Sequence, residues 1–184
     1  MILEYENYIS SNFVEEIQQN LLPFVKNSTT QVTQNRDGIT VDVSKTPELR
    51  DLDSKLSIMF STFKQNILQH RFKPHFDSGD TGYEYHLYRP GEVCRYHTDG
   101  EVATPTKNSS LLRYATVILF LTDNQNGEIV FPDQNIEIKP KKGKIIAFPP
   151  YGMFGHYTKP TVENREILMT WFVYNGITVQ QNAT

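Results

Sequence analysis

Hydrophobic residues follow two rhythms along this chain. In the first, Phe13, Ile17, Leu21 and Leu22 recur at helical spacing, and Ser10 or Ser11 can cap a helix that runs to about Lys26. Thr46-Pro47-Glu48 opens a second helix: a capping residue, a proline at the first helical position and an acid in the first turn. Leu49, Leu52, Leu56, Phe60, Phe63 and Ile67 then repeat every three or four residues, which predicts a helix over 47–69 with one face packed on a sheet. Residues 2–9 read as a short strand or extended lead-in. Residues 27–38 read as a polar loop that closes on the Asp37-Gly38 turn signal, and residues 39–43 alternate like a strand.

From Thr81 the period changes to two. Strands are predicted near 82–89, 92–97, 111–121, 127–131, 135–138, 144–149, 153–158 and 164–174. Pro90-Gly91 should fold the first two into a hairpin. Eight short strands after a helical start predict a mainly β protein with flanking α-helices, of α+β class. No linker or repeat interrupts it, so the reading is one domain, with 1–79 as helical support and 80–175 as the β core. Residues 99–110 are the most loop-like stretch within the β region. Because they leave from Asp99, segment 100–110 is expected to act as a lid over a substrate, the alternative being an ordinary connection.

Composition narrows the class. The 184 residues are 38% hydrophobic and 12% aromatic, too apolar for disorder, and the net charge of −3 does not suggest bulk nucleic-acid binding. The basic run 139–144 reads as a solvated turn. Cys94 is the single cysteine, so an intrachain disulfide is impossible, which fits a reducing compartment. The N-terminus has no signal-peptide pattern and no stretch is apolar enough for a membrane helix, so a soluble cytoplasmic protein is expected.

The candidate chemistry lies at 95–100. His97 and Asp99 are two apart, so on an extended segment both point to one side. His156 supplies a third ligand. Two histidines and one carboxylate with the remaining positions open form the facial triad of non-heme Fe(II) sites. Arg165 follows, on the face of an apolar strand shared with Ile167, Met169, Trp171 and Val173. A buried guanidinium needs an anion, no acid in the segment shares that face, and a bound dicarboxylate would satisfy it. Glu84, His86 and Tyr88 share a polar face suited to a wet pocket.

Tyr88-x-x-Gly91, His97-x-Asp99, Gly127-Glu128-x-x-Phe131-Pro132, Lys142-Gly143 and His156 followed by Arg165 together resemble the Fe(II)/2-oxoglutarate-dependent dioxygenases, and within them the prolyl 4-hydroxylase-like branch. The likeness covers residues 80–175. It implies a double-stranded β-helix (jelly-roll) core with N-terminal helices packed outside. It implies Fe(II) held by His97, Asp99 and His156, with catalysis shared by Arg165. It implies 2-oxoglutarate as co-substrate, with its far carboxylate on Arg165 and the Tyr88 phenol nearby, and O2 and ascorbate as further reactants. Trp171 stands where this branch often has a tryptophan supporting the site. The resemblance implies hydroxylation of a C–H bond, foremost in proline of a peptide or protein, and Asp99 in place of a small residue favours hydroxylation over halogenation.

The chain departs from the family in places. Phe120-Leu121-Thr122-Asp123 lacks the tyrosine that often touches the co-substrate, and Asn126-Gly127 replaces Gly-Gly. These departures leave a free amino acid or another residue open as substrate. A nucleic-acid demethylase is the rival within the superfamily, and it typically carries a second arginine where Trp171 stands. A non-catalytic metal-binding jelly roll is the rival outside it, and that reading leaves Arg165 unexplained.

Overall fold

The computed structural model describes residues 1–26, 28–72, 79–100 and 112–174. Segment 101–110, most of the expected lid, lies outside the described residues. The first helix, α1 (Ser11–Val25), starts as its sequence suggests, with the Phe13 amide bonded to Ser10 Oγ at 3.3 Å. It buries Val14, Ile17 and Leu21, whereas Leu22 is 57% exposed and leaves the expected stripe. A 3-10 turn (Pro47–Leu49) leads into α2 (Arg50–Phe63), then a π-turn (Lys64–Leu68) and α3 (Gln69–Phe72). Thr46 does not cap: its hydroxyl donates to Asp42 O at 2.6 Å, and Pro47 alone sets the first turn. Leu52, Leu56, Phe60 and Phe63 are buried as their spacing requires. None of these helices is long and apolar enough to cross a membrane.

Ten strands are described: β1 (Leu3–Tyr5), β2 (Gln31–Val32), β3 (Asp37–Asp42), β4 (Glu84–Tyr88), β5 (Leu112–Phe120), β6 (Ile129–Phe131), β7 (Ile136–Ile138), β8 (Ile145–Phe148), β9 (Tyr157–Thr158) and β10 (Arg165–Tyr174). They form a large antiparallel sheet in the order β1-β8-β5-β10-β4-β3-β2 and a small one in the order β7-β6-β9. One face of the large sheet carries Leu3, Val41, Tyr85, Val117, Leu119, Ala147, Leu168 and Phe172 and packs on the helices. The other carries Ile118, Phe120, Ile146, Phe148, Ile167, Met169 and Trp171 and meets Ile129, Phe131 and Ile138 of the small sheet. Two facing antiparallel sheets with helices on the outer face make the jelly-roll core that the sequence led us to expect.

Three details differ from the sequence reading. Asp37-Gly38 opens β3 and does not close a turn; the turn falls at Thr33 to Arg36, where the Thr33 amide bonds Arg36 O at 2.8 Å. The 82–89/92–97 hairpin does not form, because both edges of β4 are taken, by β3 and β10. After the turn at Gly91 the chain crosses to the small-sheet side, where Cys94 bridges Arg36 and His97 bridges His156. The basic run between β7 and β8 is a clasp as well as a turn. Lys144 is 4% exposed and bonds Glu4 and Lys139 O, and Lys141 and Lys142 pair with Glu6 and Glu15.

Candidate active site

Antiparallel pairing explains how residues far apart in sequence come together. His97 and His156 sit opposite each other, joined by backbone bonds of 3.0 and 2.9 Å, with their rings 4.4 Å apart. Asp99 continues the same edge, and one ligand atom from each of His97, Asp99 and His156 lies within 4.8 Å of the others. Gly100 lets this segment lie against the next turn, since a Cβ there would meet Pro150 O at 2.7 Å.

The hydrogen bonds around the trio set its chemistry. His97 Nδ1 faces Arg95 O at 2.8 Å and His156 Nδ1 faces Phe154 O at 3.1 Å. A carbonyl accepts only, so both Nδ1 atoms carry protons and both Nε2 atoms turn to Asp99. His97 Nε2 is 3.3 Å from Asp99 Oδ1, and His156 Nε2 is 3.9 Å from Oδ2. Thr116 Oγ1 donates to Oδ2 at 2.8 Å, and Arg113 Nη1 donates to the Asp99 carbonyl at 2.7 Å.

Burial by itself would lower the His97 pKa, but its hydrogen bonds to Asp99 and Cys94 and the negative charge of Asp99 outweigh it and raise it to about 10. Burial would raise Asp99, yet His97, His156 and Thr116 bring it to about 2. Burial pulls His156 below its ordinary value. The pocket therefore holds an ionised carboxylate, one neutral imidazole and one imidazole whose proton lies toward Asp99, where a cation can take the proton's place. Two imidazole nitrogens and a carboxylate suit a first-row divalent metal with open coordination positions, so the residues fit Fe(II).

Arg165, at the start of β10, is 1% exposed. Its guanidinium lies over the Tyr88 ring, 4.1 Å from the centroid, because β4 pairs Tyr88 directly with Arg165. It donates to Gly127 O at 2.8 Å and Thr158 Oγ1 at 3.3 Å, while Nε has no partner. No ion pair involves it among the described residues. Gly127 is required beneath it, since its φ is +89° and an added Cβ would sit 3.2 Å from Thr161 and 3.5 Å from Arg165.

Arg165, Tyr88 and the trio line one cavity with Trp171 and Met169. Val173 leaves this face, because the β5–β10 register shifts between Phe172 and Val173. His86, on the same face as Tyr88, is buried between Glu84 (3.1 Å) and Thr40 (3.3 Å). The sequence reading missed Arg36, Arg113 and Thr116, which line or brace this cavity. Period-two alternation on β5 was the available signal for Thr116; Arg36 and Arg113 have none in local sequence.

A jelly roll with a His/Asp/His cluster beside a buried arginine that has no ion-pair partner among the described residues suits a metal-dependent oxygenase. The family model for the 2OG-Fe(II) oxygenase superfamily matches residues 63–173, and the chain belongs to that superfamily. Membership brings Fe(II) as cofactor and 2-oxoglutarate and O2 as co-substrates. The fold is similar to the viral collagen prolyl hydroxylase of Paramecium bursaria Chlorella virus-1 solved with 2-oxoglutarate (TM-score 0.71, 18% identity, covering 95% of this chain and 96% of that one). It is similar to a Pseudomonas putida prolyl-4-hydroxylase (0.64, 15%, 95% and 93%). It also resembles a Trichoplax adhaerens prolyl hydroxylase in complex with a peptide fragment of the hypoxia-inducible factor oxygen degradation domain (0.66, 17%, 94% and 83%). No curated protein sequence matches the chain significantly.

Proposed function

We propose that the chain is an Fe(II)- and 2-oxoglutarate-dependent hydroxylase of proline in a peptide or protein, with His97, Asp99 and His156 as metal ligands and Arg165 as anchor for the co-substrate. The observation that carries this reading is the guanidinium of Arg165, buried with no anionic partner among the described residues on the wall of the cavity lined by His97, Asp99 and His156. An uncompensated buried charge costs several kcal/mol, about what one carboxylate of a bound dicarboxylate repays. When bound, the metal and co-substrate supply oxidative decarboxylation to succinate and CO2 coupled to insertion of one oxygen into C–H.

The chain supplies placement. The carbonyls of Arg95 and Phe154 fix both imidazoles, Thr116 and Arg113 fix Asp99, and the Tyr88 ring fixes Arg165. Ile118, Ile167, Met169 and Trp171 keep water from the reacting centre. The prolyl choice is supported by the three hydroxylases of like fold. Ascorbate as an added reductant belongs to the proposal, as does one catalytic domain with 1–79 supporting 80–175. So does a cytoplasmic setting, which the lone Cys94 suits.

The test incubates proline-containing peptides with protein, Fe(II), 2-oxoglutarate and ascorbate. A gain of one oxygen on proline, matched by succinate, is expected. Succinate with no oxidised peptide across a broad panel refutes the prolyl substrate.

A further inference from the structure

Arg36 belongs by sequence to a polar loop, yet the fold brings it to the active cavity. Its backbone bridges Cys94, and its Nη2 donates to Thr40 Oγ1 at 2.7 Å. These contacts place the side chain on the cavity wall with His97, Asp99, His156 and Arg165. Among the described residues Arg36 has no ion-pair partner; Asp99 of the same cavity is engaged with His97 and Thr116, and two further acids are also occupied. Asp37 holds Arg95 through both oxygens, at 2.9 and 2.7 Å. Glu84 is bonded to His86 at 3.1 Å, and Arg36 acts on it only through longer-range charge.

The other guanidinia in or beside the cavity have work of their own. Arg165 lies deep, where the co-substrate's far carboxylate is expected on the reading above. Arg113 holds the Asp99 carbonyl and stacks on Trp171 at 3.9 Å. Arg36 is left, half-buried and nearer the surface than Arg165, with donors to spare. A planar fork of donors in such a place matches a carboxylate.

We propose that Arg36 anchors a carboxylate of the substrate, so that preferred peptides carry an acidic side chain or a free C-terminal carboxylate beside the hydroxylated residue. This rests on the prolyl-peptide reading above. The neighbour relation follows from reach: Arg36 and the metal ligands share one small cavity, and successive Cα atoms are about 3.8 Å apart.

The test uses short peptides with one proline followed by Glu, Gln or Lys, all ending in an amide, and a fourth that ends at the residue after proline as a free acid. Binding to the Fe(II)/2-oxoglutarate holoenzyme is measured under nitrogen, and kcat/KM in air. The Glu or free-acid peptide should exceed the Gln peptide by roughly five- to tenfold in both readouts, as expected for a half-buried charge pair. Which of the two leads tells whether the carboxylate is a side chain or a chain end. Arg36→Gln should bring the ratio to about one, and Arg36→Lys should keep part of it.

Equal binding of all four peptides, or an acid preference that survives in Arg36→Gln, overturns the proposal. So does a raised KM for 2-oxoglutarate in that variant with the peptide preference intact. If the acidic peptides bind through Arg36 but no proline gains oxygen, the anchor stands and the prolyl reading falls.

Discussion

Replacing Arg165 with methionine separates a ligand-binding arginine from a structural one. Methionine fills similar volume with no charge. In the ligand-free protein the change removes a buried cation whose desolvation costs several kcal/mol. It also strips Gly127 O and Thr158 Oγ1 of a donor, at about 1–3 kcal/mol for each group left unsatisfied. The two terms nearly cancel, so Arg165→Met should change stability by no more than about 2 kcal/mol, or roughly 4–8 °C in Tm for a domain of this size.

Ligand binding should respond very differently. A charge-assisted pair to a carboxylate is worth about 1.5–3 kcal/mol, so 2-oxoglutarate affinity should fall roughly ten- to a hundredfold. At a concentration of about 100 times the wild-type Kd, 2-oxoglutarate should stabilise the wild-type protein by about 2.7 kcal/mol, and the variant should keep only about 0.4–1.4 kcal/mol of that shift. The assay is thermal unfolding of the Mn(II)-loaded protein with and without 2-oxoglutarate. A variant that unfolds far below wild type, yet keeps its 2-oxoglutarate shift, would refute the argument and make Arg165 a structural residue.

Three further outcomes are expected. Thr116→Val keeps the shape of a fully buried side chain but removes the donor to Asp99 Oδ2; metal affinity by calorimetry should fall about tenfold or more, with Thr116→Ser restoring part of it. Gly127→Ala forces a Cβ into a left-handed backbone 3.2 Å from Thr161, so urea unfolding should show a loss of about 1–2 kcal/mol together with a raised KM for 2-oxoglutarate. Burial holds the His86 pKa below its ordinary 6.5, so its neutral form contributes stability that is present above pH 6.5 and lost as pH falls through the lowered folded value. Urea unfolding at pH 7.5 and 5.5 compares wild type with His86→Asn: the variant should lose less stability on acidification, since the contribution of His156, lowered by the same burial, and the opposite one of the raised His97 are common to both proteins; an equal change in the two refutes the assignment.

The parts of the site that could be read from sequence are those whose signal is local. His97 and Asp99 share a side because they are two apart, and Arg165 stood out as a charge within an apolar strand. The helices were legible because Leu52, Leu56 and Phe60 repeat at their own period. The hairpin failed because a turn signal says where a chain bends and not which strands compete for its edge; β3 and β10 won both sides of β4. Arg36 and Lys144 were hidden for a related reason. A cation in a polar run looks solvated until a distant segment covers it, as Cys94 does for one and Glu4 for the other.

The order of the large sheet also constrains how the protein is made. β10 follows every other described strand in the chain, yet it lies at the middle of the sheet, between β5 and β4, and it carries Arg165. A growing chain that has emerged only as far as Glu163 has two half-sheets with no strand to join them, and helices whose apolar faces have no finished surface to cover. Folding and assembly of the cavity around Arg165 must then arrive together and late, as expected for pairings so distant in sequence. Chains cut before β10 should be substrates for chaperones and proteases, not partly active enzymes.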